Sequence, residues 1–112
     1  MAQFPRLLLA LALIIGSAAP WAQPAADALI IDTRSPAEYE TGHVDQAVLI
    51  PYDAIEAGIV KLTEDRNTPI YLYCGSGRRA EIARERLAQR GYTNVTNLGG
   101  LEDARAFMQG TE

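Results

Sequence analysis

Apolar residues in this chain fall into short unbroken runs, set apart by stretches of helical spacing and turn residues. Ala28-Leu29-Ile30-Ile31 closes on Asp32, Ala47-Val48-Leu49-Ile50 closes on Pro51, and Ile70-Tyr71-Leu72-Tyr73 closes on Cys74. Runs this short and continuous, rather than alternating, are the pattern of strands buried on both faces, as in parallel sheets. A last strand lies within residues 92–98, ahead of Gly99-Gly100.

The intervening stretches carry helix signals. Ser35 stands as an N-cap, with Pro36 at the first helical position and Glu38 where a capping box needs it. Gly42 ends that helix, and residues 43–46 form a connector. In residues 52–62, Ile55, Ile59 and Leu62 recur at helical spacing and Gly58 weakens the stretch, which predicts one or two short helices. A polar loop, residues 63–69, precedes the Ile70 run. A longer helix is predicted from Arg79 or Ala80 to Arg90, ending at Gly91, and a final one over residues 101–108. Strands alternating with helices predict an α/β fold: a small parallel β-sheet flanked by helices on both faces. Ligands of such open sheets bind beyond the carboxyl ends of the strands, where Asp32 and Cys74 fall.

The first residues follow a different pattern. Arg6 precedes an unbroken apolar run over residues 7–15, and small, turn-prone residues follow. This is the tripartite pattern of a secretory signal, expected to occupy residues 1–22 and at most 1–26. An uncleaved N-terminal anchor is the alternative. Residues 27–110 are then a single domain, exported to a periplasmic or extracellular space and free of the membrane once the signal is removed.

Composition narrows the chemistry. The 112 residues suffice for one small domain. A formal charge of −4 makes nucleic acid a poor partner. A single cysteine and a single histidine exclude an internal disulfide, a Cys-x-x-Cys pair and a multi-cysteine zinc site. A lone thiol retained in an oxidising compartment is either inert and buried or used.

Cys74 ends a strand and is followed by Gly75, Ser76, Gly77, Arg78 and Arg79, not by more apolar residues. Gly75 and Gly77 allow positive φ, so the loop amides can curl around the sulfur. The following helix N-terminus and the two arginines add positive charge. Arg84, Arg86 and Arg90 read as a solvated helix face, with Glu81 and Glu85 as partners one turn away. Cysteine-dependent phosphate-ester hydrolysis conventionally spaces Cys and Arg by five residues. Here only four separate Cys74 from Arg79, and position 80 is Ala80. The tighter loop suits one extra sulfur on Cys74 better than a tetrahedral phosphate. Asp32 and Arg34 fall on the same rim, as pocket residues or as a structural ion pair. His43, Glu38, Tyr39, Tyr71 and Tyr73 read as structural.

Three stretches resemble a known family. Residues 30–39 with Gly42-His43-Val44 and residues 47–51 form the first, Cys74-Gly75-Ser76-Gly77-Arg78-Arg79 the second, and Gly91-Tyr92-Thr93-Asn94-Val95 with Leu98-Gly99-Gly100 the third. In this order they resemble a single-domain rhodanese of the small exported type. Asp45-Gln46 departs from the Pro-Gly of many members, and the last helix has Phe107 near the place of a common Trp. The resemblance implies a thiosulfate sulfurtransferase without cofactor or metal. Cys74 would take sulfur from thiosulfate as a persulfide and pass it to a thiophilic acceptor such as cyanide or a thiol. Gly75 to Arg79 would form the substrate loop, with Arg78 and Arg79 attracting the anionic donor. A non-catalytic sulfane-sulfur carrier is the alternative, and a Cys-dependent phosphatase or arsenate reductase relative a more distant one.

Overall fold

A computed structural model describes residues 27–110, and the expected secretory signal lies outside them. The elements run β1 (Leu29–Asp32), α1 (Pro36–Glu40), β2 (Val48–Leu49), a 3-10 turn (Tyr52–Ala54), α2 (Ile55–Ile59), β3 (Ile70–Cys74), α3 (Arg78–Gln89), β4 (Val95–Gly100) and α4 (Leu101–Met108). The strands form one parallel sheet in the order β2-β1-β3-β4.

Side chains on the two central strands alternate between two cores, one on each face. Ile31, Ile70, Leu72 and Cys74 pack with Ile55 and Ile59 of α2 and with Ala80, Ala83 and Leu87 of α3. Ile30 and Tyr73 pack on the other face with Val44, Ala47 and Ala104, joined by Tyr39 and Tyr71. Burial on both sides is why β1 and β3 read as unbroken apolar runs. Tyr71 meets Phe107 of α4 with ring centroids 4.8 Å apart, so Phe107 covers this edge of the sheet.

Local chemistry sets the element ends. Glu38 N–H donates to Ser35 Oγ and Ser35 N–H donates to Glu38 Oε1, completing the capping box of α1. Two expectations shift. Leu62 lies beyond α2 and is 40% exposed, because the helix ends at Ile59 and only Ile55 and Ile59 of the spaced trio reach the core. Gly99 and Gly100 extend β4 instead of leaving it, through an irregular register at which Tyr73 pairs with Gly99. Such an irregularity bends the strand end and re-aims it. Here it lays the two glycines beside the Cys74 loop.

The order of the strands places β1 and β3 side by side while their connections run to opposite sides. Their carboxyl ends therefore flank a crevice. Replacing Leu72, fully buried between β1 and α3, by alanine should lower unfolding free energy in urea by about 2–5 kcal/mol. Leu62→Ala should stay within about 0.5 kcal/mol of wild type. Equal effects would contradict this assignment of the core.

Candidate active site

Cys74 is the last residue of β3, and α3 begins after an interval of three residues, at Arg78. Gly77, the residue before α3, adopts φ +97° in the left-handed region. That turn lets the Gly77 N–H donate to Cys74 Sγ at 3.0 Å. A Cβ on Gly77 would stand 3.2 Å from Gly99 Cα, so both backbone conformation and space call for glycine. Gly75 does not share the expected positive φ. A Cβ there would come within 3.3 Å of the Arg79 guanidinium, the movable tip of a long side chain, so space at Gly75 is tight without demanding glycine. Across the loop, a Cβ on Gly100 would overlap Gly75 O at 2.6 Å. The loop thus lies directly against the end of β4.

Burial pushes the Cys74 thiol up, but hydrogen bonds from the N–H groups of Ala80, Ser76, Gly77 and Arg79 outweigh it and hold the pKa below the ordinary value. The residue itself is only 1% exposed, while Gly75 and Ser76 are exposed. Beside its apolar neighbours the thiol also meets a peptide donor, the Gly77 N–H. A sulfur added to Sγ extends about 2 Å further outward.

The arginines divide into different roles. Arg79 donates from Nη1 to Glu38 Oε1 at 2.8 Å and from Nη2 to Glu38 Oε2 at 3.1 Å. This two-pronged pair ties the cysteine loop to α1, and Arg79 also interacts with Cys74. Arg78 is exposed and, among the described residues, has no hydrogen-bond or ion-pair partner. Arg84 pairs with Glu81, as its spacing suggested. Arg86 instead reaches Glu56 of α2 at 3.6 Å. Arg78 is therefore the uncommitted charge of the loop, and the basic patch is largely neutralised.

Asp32 and Arg34 form an ion pair at 2.8 Å. Asp32 is fully buried at the end of β1, and its carboxylate accepts from Arg34 Nε and Nη2 and, at 2.7 Å, from the Tyr73 hydroxyl. Arg34 Nη2 also donates to Gly42 O at 2.7 Å. Burial pushes the Tyr73 hydroxyl up to about 12, with Val44 N–H donating to it. Asp32 thus lies beneath the rim and fastens it. Arg34 borders a cleft of about 350 Å3 with Thr33, Ser35, Pro51, Tyr52 and Arg79. His43 stands apart, stacked on Tyr39 at 3.6 Å with Nδ1–H donating to the Tyr39 carbonyl at 2.8 Å.

Sequence patterns did not reveal two functional contacts. Glu38 was legible as a capping residue, but its pairing with Arg79 spans 41 positions. The Tyr73 hydroxyl was hidden within an apolar run, and no local pattern announces its bond to Asp32.

The structure is a four-stranded parallel α/β sheet with a cysteine loop at the carboxyl end of a central strand. The chain belongs to the rhodanese-like family: the model of the rhodanese-like domain matches residues 18–106. It is 36% identical over 104 residues to the thiosulfate sulfurtransferase PspE of Escherichia coli (strain K12), covering 89% of this chain and 91% of that protein. It is 38% identical over 69 residues to the putative sulfur carrier protein YrkF of Bacillus subtilis (strain 168), covering 62% of this chain and 36% of that one. A solved structure described as a rhodanese with anions from E. coli superposes with a TM-score of 0.65 at 38% identity, covering 68% of this chain and 89% of that one.

The Glu38–Arg79 pair gives a pH test. Hydrogen bonding from Arg79, reinforced by Ser35, lowers the Glu38 carboxyl from 4.5 to about 2. A depressed folded-state pKa stabilises above the unfolded value and loses that contribution as pH falls through the folded one. Melting temperatures of wild type and Glu38→Gln should therefore differ at neutral pH and converge on acidification from about 4.5 to about 2. A gap that persists at pH 2 would contradict an ionic pair.

Proposed function

We propose that this protein moves sulfane sulfur from thiosulfate to a thiophilic acceptor through a persulfide on Cys74. The observation that carries the reading is the Gly77 N–H donated to Sγ of the sole cysteine of a rhodanese-like domain at 3.0 Å, with the Ala80, Ser76 and Arg79 amides also favouring the thiolate. In the first step the Cys74 thiolate attacks the outer sulfur of thiosulfate. The new S–S bond forms as the donor's S–S bond breaks, and sulfite leaves with the bonding electron pair. In the second step the acceptor attacks the outer sulfur of the persulfide, and the Cys74 thiolate departs. Both displacements are balanced without an oxidant or reductant.

Electrostatics support each stage. The amides that favour the thiolate also favour the persulfide anion, in the manner of an oxyanion hole. Arg78, exposed and unpaired, draws in the dianionic donor. Arg79, neutralised by Glu38, fixes the loop. The leader pattern in residues 1–22 supports export to the periplasm or beyond.

A second reading, a sulfur carrier that loads well and turns over slowly, is favoured by the 1% exposure of Cys74. Catalytic turnover separates the two. Thiosulfate and cyanide should yield thiocyanate over many cycles with wild type and essentially none with Cys74→Ser. Arg78→Ala should raise the KM for thiosulfate several-fold, leaving kcat within about twofold. One equivalent of transferred sulfur without further cycles would favour the carrier. No persulfide after exposure to thiosulfate would overturn both readings.

A further inference from the structure

The loop amides hold the sulfur only if the loop itself is held. Gly77 is the critical point, because it is the left-handed residue and its N–H is 3.0 Å from Cys74 Sγ. Gly77 O already closes the first turn of α3 by accepting from Glu81 N–H at 3.0 Å. Among the described residues, the one side chain that adds to this hold comes from the neighbouring edge strand. Asn97 Nδ2 donates to Gly77 O at 2.9 Å and to Glu81 Oε1 at 3.2 Å. Asn97 Oδ1 accepts from Gly99 N–H at 2.9 Å.

These partners settle the orientation of the amide. Two acceptors face one end and an N–H donor faces the other, so the reversed orientation would oppose like with like at all three contacts. Position 97 is also the point at which β4 leaves regular register: Leu72 pairs with Asn97, but Tyr73 pairs with Gly99. The irregularity brings Gly99 against Gly77 and leaves the Asn97 amide between them.

We infer that Asn97 is a positioning residue of the sulfur-transfer site: by holding the carbonyl of the peptide after Gly77 it helps keep Gly77 in the left-handed conformation that aims the N–H of the preceding peptide at Cys74 Sγ. The inference rests on Cys74 being the reacting atom, as proposed above. Asn97 itself touches neither the sulfur nor a substrate in this account. It anchors the carbonyl of the one residue whose conformation turns the loop, and Glu81 and Gly99 hold the anchor. Isolated glycine peptides in the left-handed region are free to leave it, and an amide that swings away from the sulfur no longer stabilises its charge.

The test pairs two variants with two readouts. Asn97→Ala removes all three contacts. Asn97→Asp retains the shape and the acceptor for Gly99 N–H, but sets a carboxylate oxygen against Gly77 O and Glu81. Other ionic groups around this position are Arg84, paired with Glu81, and Asp103, which accepts from Gly100 N–H. Thr96→Ala, at an exposed position on the same strand, is the control. The first readout is the pH dependence of iodoacetamide alkylation of Cys74, the sole thiol, which needs no sulfur-transfer activity. Asn97→Ala should raise the thiol pKa by about half a unit to one unit, and Asn97→Asp by at least as much. Thr96→Ala should leave it unchanged.

The second readout is thiosulfate:cyanide turnover, in which kcat should fall about three- to tenfold while KM for thiosulfate changes less than twofold. Should Asn97→Ala fail to fold, the near-isosteric Asn97→Asp decides. A folded Asn97 variant with wild-type alkylation titration and kcat overturns the inference. An altered titration in a protein whose wild type transfers no sulfur would keep Asn97 as the loop's anchor and refute the proposed activity instead.

Discussion

The Gly77 N–H points at one sulfur atom, the amides of Ser76, Arg79 and Ala80 add to its pull on the thiolate, and the elements around the loop hold them in place. Each is an ordinary peptide donor. Their placement requires a strand to stop at Cys74, a left-handed turn at Gly77 and a helix that starts at once. β3 supplies the stop because it is buried on both faces and ends at the rim of the sheet. Glycines at 77 and 100 let loop and neighbouring strand approach to distances that side chains would crowd. Desolvation opposes ionisation of the thiol, and the amides reverse that outcome.

Two ionic links carry this geometry to the rest of the domain. Glu38 and Arg79 join α1 to the cysteine loop in a half-exposed pair, so its value lies more in fixing geometry than in stability. Asp32, Arg34 and Tyr73 form a buried network beneath the rim, with the carboxylate accepting from both a guanidinium and a phenol. Burying such a pair gains little net energy, but breaking it by removing one partner strands a charge in the interior. The network ties β1 to β3 and, through Gly42 and Val44, to the connector after α1. The two strands that flank the crevice are thereby locked at their carboxyl ends.

Much of this was legible in the sequence because the signals are local. Apolar runs ending at Asp32 and Cys74 marked central strands, and Ser35-Pro36 with Glu38 marked the start of α1. The cysteine followed by glycines and arginines marked the loop. Contacts between distant positions were not legible. A capping box does not show that the same glutamate reaches Arg79, and an apolar strand does not show that the Tyr73 hydroxyl seeks a buried carboxylate. Gly75 illustrates the limit within the loop: a glycine suggests positive φ, and the structure shows none at this position. Asn97 escaped notice for a similar reason, since a polar residue in an edge strand looks solvated until the neighbouring loop is in place.

The central claim is that the peptide cradle holds Cys74 ionised more readily than a free thiol, despite its burial. Ultraviolet titration of the thiolate, with the Cys74→Ser spectrum subtracted to remove tyrosine ionisation, measures this directly. The account predicts a midpoint below the ordinary thiol value of about 8.5. A midpoint at or above that value would mean that burial prevails over the amides, and the sulfur would then be a packing atom and not a reacting one.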